Sequence, residues 1–217
     1  MIKYKLNKEL AEETGIHIGD GSMNIYKGNQ CLYTVACHWK DDKEYIDDHV
    51  LKLVKNIYGK TPKPREWSKG TYGFRICSKN IICFKNKELG LPLGKKIGID
   101  VPISIKKNDI LMRYLIRGLF DTDGSLTLWK TNNKLYPRIY FSSISKKLVD
   151  TIREHLTIKG FRVTYWETTP KEEKWSKIYK ISINGHNMLA KWVNDIGFKN
   201  QKNLKKLDRL GVKYKIL

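Results

Sequence analysis

The chain repeats itself, and that constrains its fold more than any other feature. GIHIGDGSMNIYKGN at 15–29 and GLFDTDGSLTLWKTN at 118–132 share Gly-x-x-x-(Gly/Thr)-Asp-Gly-Ser, followed by an apolar residue, an aromatic, Lys and Asn. The pairs are offset by 103: Gly15 with Gly118, Asp20 with Asp123, Ser22 with Ser125, Tyr26 with Trp129, Lys27 with Lys130. The offset recurs at Leu32-Tyr33 against Leu135-Tyr136 and at Asp47 against Asp150. We read a tandem duplication.

Each copy parses the same way. Apolar residues at helical spacing over 8–19 and 109–122 stop at Asp-Gly, with Gly21 and Gly124 expected as C-terminal caps. A hairpin over 22–39, turning at 27–30, matches one over 125–143 turning at 130–134. Amphipathic helices are predicted at 43–58 and 145–158. Strands follow at 63–67 with 71–78, and at 161–168 with 177–183. Helices near 80–89 and 186–195 close the copies. The expectation is an α+β monomer built as αββαββα twice. Its units are an N-terminal repeat at 1–88, a Gly- and Pro-containing linker at 89–108 and a C-terminal repeat at 109–217 whose tail, 195–210, resembles the linker.

Charge says what such a chain would meet. Among 217 residues, 42 Lys+Arg against 22 Asp+Glu give a net charge of +20. The first 108 residues carry +8 and the remainder +12, so the excess is a property of both copies and fits a polyanion lying across them. No apolar run approaches the ~18 residues of a membrane span, and no signal peptide opens the chain, so a cytoplasmic or organellar-matrix location is expected. The cysteines fall in two pairs six apart, Cys31 with Cys37 and Cys77 with Cys83. Each pair is expected on one side of a strand, as reduced core thiols.

The repeated Asp-Gly carries the chemistry. Gly15 and Gly19 lie four apart on one helix face, as do Gly118 and Thr122, so two such helices can approach closely. Packed together, they bring Asp20 and Asp123 side by side at the negative ends of two helix dipoles. Two carboxylates there repel each other unless divalent cations sit between them. Oxygen-only ligands, the two carboxylates plus the carbonyls of Gly19 and Thr122, favour Mg²⁺, two ions or more, with Mn²⁺ as a substitute. Such a site suits phosphodiester hydrolysis.

IRGLFDTDG at 116–124 resembles the LAGLIDADG motif of homing endonucleases, and ETGIHIGDG at 13–21 is a divergent first copy. LGLPLGKK ahead of the second copy resembles a stretch of single-chain members. The resemblance implies a pseudo-two-fold monomer with a saddle-shaped antiparallel β surface on DNA. It further implies a metal-dependent double-strand break, with one aspartate serving each scissile phosphate. It places basic residues around the metals: Lys40, whose repeat partner at the same offset is Ser143; Lys95 or Lys96 from the linker; Lys199 or Lys202 from the tail. Asp121 falls on the motif's other acidic position but faces Ile18 in the first copy, which argues against a symmetric catalytic role.

Strand alternation nominates the DNA-facing residues. In the first copy these are Ser22, Asn24, Tyr26, Lys27, Asn29, Gln30 and Lys40, then Lys63, Arg65, Trp67, Lys69 and Arg75. In the second they are Ser125, Lys130, Asn132, Lys134, Arg138 and Tyr140, then Arg162, Tyr165, Trp166, Lys177 and Lys180. Two saddles of ~10-residue strands span roughly 70 Å, or about 20 bp of duplex. The two hairpins differ in sequence, so the target need not be palindromic.

The competing reading is a non-cleaving binder on the same scaffold, either an intron RNA maturase or a transcription regulator. Retention of both Asp20 and Asp123 favours the nuclease. An intein is not expected, because the chain starts with Met and ends VKYKIL without a terminal His-Asn. An intron-encoded, free-standing enzyme is.

Overall fold

A computed structural model describes residues 4–170, 172 and 176–211. Two helices, α1 (Lys8–Asp20) and α6 (Asp109–Thr122), pack against each other along their length and form the spine. Each starts on an asparagine: the Asn7 side chain accepts a hydrogen bond from the Leu10 amide, and Asn108 accepts from Ile110 and Leu111. The spacing of small residues does what the sequence requires. A side chain at Gly15 would collide with the Leu115 carbonyl, and one at Gly118 would meet the Glu12 backbone, so backbone touches backbone where the spine helices cross. Higher up, a Cβ at Gly19 would lie 2.8 Å from Cβ of Thr122.

On either side of the spine lies a four-stranded antiparallel sheet. The first has the order β1 (Gly21–Tyr26), β2 (Gln30–His38), β4 (Thr71–Cys77), β3 (Arg65–Ser68). The second is β5 (Gly124–Thr131), β6 (Lys134–Ser143), β8 (Ile178–Asn184), β7 (Val163–Thr168). Helices cover one face of each: α2 (Trp39–Tyr45) running through a π-turn into α3 (Leu51–Tyr58), and α4 (Lys79–Cys83) in the first; α7 (Lys146–Ile158) and α8 (His186–Asp195) in the second. A single turn, α5 (Ile103–Lys106), interrupts 89–108, and the tail forms α9 (Gln201–Arg209). The mixed α+β architecture and the αββαββα order are as expected.

Three local expectations are corrected. Gly21 and Gly124 are not left-handed caps: neither has a positive φ, and Gly21 at φ −86° opens β1. A side chain on either would strike its own helix, 2.5 Å from Cα of His17 and 2.7 Å from Cα of Phe120. The chain must fold back sharply from helix into strand, and only hydrogen fits inside the bend.

The offset of 103 does not survive the hairpin. Gly21 pairs with Val35, whereas Gly124 pairs with Phe141, an offset of 106. The second hairpin is therefore three residues longer. Tyr33 is buried, while Tyr136 is on the opposite face and 45% exposed, so the Leu-Tyr coincidence joined residues that are not equivalent.

Finally, Cys31 and Cys37 do share the buried side of β2, but Cys77 is exposed on β4 and Cys83 half-buried at the end of α4. All four are free thiols.

Candidate active site

The spine helices end together, and the two motif aspartates meet there. A Cβ at Gly19 would lie 3.4 Å from Cγ of Asp123, which places the end of one motif against the carboxylate of the other. Burial, then the neighbouring Asp123, then Asp42 push the Asp20 carboxyl up to about 7. Asp123 is raised as well, by burial, with Lys96 and Lys202 pulling against the shift. Mutually repelling carboxylates are the condition that a hard divalent cation relieves, and their oxygens are ligands fit for Mg²⁺ or Mn²⁺.

Two of the nominated lysines arrive at this place. Lys96, from the linker, donates to the Ile18 carbonyl at 2.6 Å and to that of Gly19. Lys202, from α9, donates to the Thr122 carbonyl at 3.4 Å and pairs with Asp42 at 2.9 Å. Each motif helix thus has an ammonium group at its negative end. The Gly19 and Thr122 carbonyls, nominated as metal ligands, are engaged by these ammonium groups. A cleft of 610 Å³ opens beside Asp123, with Lys95, Lys96, Ser142 and Ser143 on its walls.

Lys40 is not brought in. β2 ends at His38, so Lys40 sits exposed in the first turn of α2, and no hydrogen bond or ion pair joins it to either aspartate. Lys199 contributes its backbone: its amide donates to Asp121 Oδ2 at 2.7 Å.

Asp121 is fully buried and anchors the tail. Besides Lys199 it accepts from Asn203 Nδ2 at 3.3 Å, while Asn200 Nδ2 reaches both the Asp121 carbonyl at 2.8 Å and Asp42 Oδ1 at 2.7 Å. Asn200 and Asn203 flank Lys202 and are themselves fully buried. This network, which fixes Lys202, and the carboxylate of Asp42 behind Asp20 were not foreseen. Buried asparagines in a tail otherwise rich in lysine were the signal.

The open faces of the sheets collect most of the nominated DNA contacts. In the first, Ser22, Asn24, Tyr26 and Gln30 alternate away from buried Met23, and Thr34 brings Arg75 opposite it onto the same face. Arg75 stacks on Trp67 at 4.4 Å, and Arg65 pairs across from Gly73. In the second, Ser125, Tyr140, Arg138 and Lys180 share the open face with Trp166. Arg138 lies over Trp129 and donates to Asn184 Oδ1 at 2.9 Å.

The remaining nominees differ. Lys130 has the parity of buried Leu126 and so leaves the opposite face at the hairpin tip, where Lys134 takes the open one. Lys177 is paired with Glu167, and Tyr165 turns to the helix side beneath Arg153. Asn29 and Asn132 hold turns with positive φ, a backbone duty that asparagine tolerates. Lys27 shares the first of those turns; Lys63 and Lys69 are exposed beside β3, and Arg162 precedes β7.

One buried group costs stability. His17 is 1% exposed, its Nδ1 has no hydrogen-bond partner, and burial holds its imidazole well below the ordinary value, with Lys85 and Lys96 adding to the shift. The folded state therefore keeps it neutral while the unfolded chain takes up a proton below about 6.5. Its contribution is present above that pH and is lost as pH falls, by about 1.4 kcal/mol per pH unit. The second copy has Phe120 at the matching place. His17→Phe is expected to flatten denaturant-derived stability between pH 6.5 and 5 by one proton. An unchanged slope would mean that His17 does not set it.

Two antiparallel sheets flanking paired helices, with a carboxylate at the end of each helix, define the two-repeat LAGLIDADG fold. Residues 111–197, most of the second repeat, match the family model described as a LAGLIDADG-like domain. The chain is 27% identical over 202 residues to the replication factor C small subunit of Methanocaldococcus jannaschii. That match takes in 93% of this chain, which spans only 10% of the relative's length. The fold is that of the homing endonuclease I-DmoI in complex with DNA and Mn, with a TM-score of 0.61 at 20% identity, covering 88% of this chain and 96% of that one. It is also that of the N-terminal LAGLIDADG domain of WhiA, with a TM-score of 0.56 at 14% identity, covering 96% and 90%. No described helix is long and apolar enough to cross a membrane.

Proposed function

We propose that the protein is a site-specific DNA endonuclease that makes a metal-dependent double-strand break at a long, largely asymmetric target. The observation that carries this reading is the meeting of Asp20 and Asp123 at the ends of the paired spine helices. A pure binder of a polyanion gains nothing from carboxylates there. The fold shared with a DNA- and Mn-bound homing endonuclease supports the same reading.

Asp20 and Asp123 would hold the metal, Mg²⁺ or Mn²⁺. When bound, a divalent cation supplies an activated water and stabilises the developing charge on phosphate and leaving oxygen. Among the described residues no cluster of three or more His, Cys, Asp or Glu is placed to hold a metal, so the remaining ligands would come from backbone, water and the DNA phosphate. Lys96 and Lys202 place positive charge beside that phosphate. Ser142 and Ser143, with Lys95, offer donors along the cleft. On the open faces, Arg75 and Arg138 are fixed by stacking and held ready for guanine edges.

The test is a cleavage selection from randomised duplexes in Mg²⁺. The expected result is one cut site of about 20 bp without strict two-fold symmetry. Recovery of only perfectly palindromic sites would contradict the asymmetric reading, and tight binding without cutting would favour a non-cleaving regulator. On the selected site, Arg75→Ala and Arg138→Ala are each expected to cost about 1–3 kcal/mol of binding and to relax base preference locally. Uniform weakening across all sequences would assign them to phosphates.

A further inference from the structure

The two repeats differ at the opposite end of the spine, and the difference leaves a socket. In the first repeat, Tyr4 precedes α1 and inserts its ring edge-on against Tyr58 and Phe84, at 4.9 and 5.0 Å. Tyr58 stands before Gly59, which ends its helix with a positive φ, and Phe84 is the sixth residue of the helical run beginning at Lys79. The corresponding residues of the second repeat are Lys159, before the positive-φ Gly160, and Lys191, sixth in α8. Both rings have become lysines, and the residue 103 places on from Tyr4 is Lys107. In place of an aromatic ring there is a cavity of 270 Å³, open on one side. About 150 Å³ suffices for a benzene ring.

The cavity's walls say what would enter. Leu156, Phe161, Ile110 and Ile196 make it apolar. Lys159 pairs with Asp109, and Lys191 pairs with Asp195 at 2.6 Å while lying 5.0 Å from the Phe161 ring centroid. Burial holds the His155 imidazole below its ordinary value, so it is neutral near pH 7. Arg113 is the lining cation for which no pairing carboxylate is present among the described residues. Two matched pairs and one unmatched guanidinium leave a single positive charge over an apolar floor.

We infer that this socket binds a small aromatic monocarboxylate, with the ring taking the place that Tyr4 fills in the first repeat and the carboxylate on Arg113. It lies at the Asp109 end of the 14-residue α6, about 20 Å along the helix from Asp123, so it is separate from the proposed nuclease centre.

The test uses the full chain and benzoate as the probe, with benzyl alcohol as its neutral counterpart, followed by ¹H–¹⁵N NMR. The Trp192 indole, which packs on Phe161, serves as a local reporter. The expected result is saturable benzoate binding with a dissociation constant of about 1 mM and shifts confined to the socket. Arg113→Leu should weaken benzoate by about tenfold while leaving benzyl alcohol unchanged. Lys191→Phe, which restores the ring of the first repeat, should abolish both. The inference is overturned if the wild type shows no saturable shifts up to about 50 mM. It is equally overturned if the folded Arg113→Leu binds benzoate as well as the wild type does, or if folded Lys191→Phe still binds it.

Discussion

Asp20→Asn and Asp123→Asn are each expected to abolish double-strand cutting, by about 10³-fold or more, while leaving DNA binding intact. A thousandfold loss is about 4 kcal/mol of barrier, the scale on which a metal-ligand carboxylate acts. Binding should persist because neither residue faces DNA from a strand, and removing a negative charge from beside a polyanion does not weaken it. Loss of folding is not expected, because burial opposes the ionised form of both carboxylates. Asp20 is raised from 3.8 to about 7, so its folded-state contribution is present below pH 3.8 and lost as pH rises through about 7. Asn at position 20 is therefore expected to stabilise the metal-free protein at pH 8 and to leave it unchanged at pH 4. Cutting that survives in both variants would move the active site elsewhere.

Lys85→Met is expected to cost about 3–5 kcal/mol of folding stability, without any direct effect on the site. Lys85 and Glu13 are both fully buried and pair at 2.6 Å, and Glu13 also accepts from the hydroxyls of Tyr33 and Tyr58. Deleting the ammonium leaves an uncompensated carboxylate in the core of the first repeat. Glu13→Gln combined with Lys85→Met should recover much of the loss, because the neutral amide can accept from one tyrosine hydroxyl and donate to the other, which face its two ends. Equal stability of the single and double variants, from denaturant unfolding, would show that the pair is not coupled. The other buried pair, Arg117 with Glu12 at 2.5 Å, crosses between the spine helices and also engages His49 through Glu12 at 2.7 Å. It ties the two repeats together.

The architecture was legible because the duplication states it twice. Helix stops at Asp-Gly, alternating hairpins and amphipathic helices all recur, and each copy corroborates the other. The aspartate pair was legible for the same reason: small residues four apart dictate a close helix contact, and the contact dictates where the next carboxylates fall. What the sequence concealed was long-range. Asn200 meets Asp42 across 158 residues, and no local pattern announces such a bond. Lys199 and Lys202 were equally good candidates until the buried Asp121–Asn200–Asn203 network turned Lys202 toward Thr122. The hairpin register slipped because a repeated Leu-Tyr suggested a false alignment, and one wrong step of parity exchanged Tyr33 for Tyr136. Lys40 left the strand for a different reason: β2 ends at His38 and the chain turns at once into α2.

Asymmetry is the other lesson. The first repeat supplies Asp42 behind its aspartate, and its linker lysine caps its motif helix, whereas the second repeat opens the cleft lined by Ser142 and Ser143. Both motifs keep the aspartate, but they keep it in different surroundings.

The most direct test of the central claim is anomalous diffraction from crystals of the protein with its selected duplex, grown in Mn²⁺. Manganese density is expected between the carboxylates of Asp20 and Asp123, against the DNA backbone. Well-ordered duplex on the sheets with manganese bound only elsewhere, or with none between those carboxylates, would contradict it.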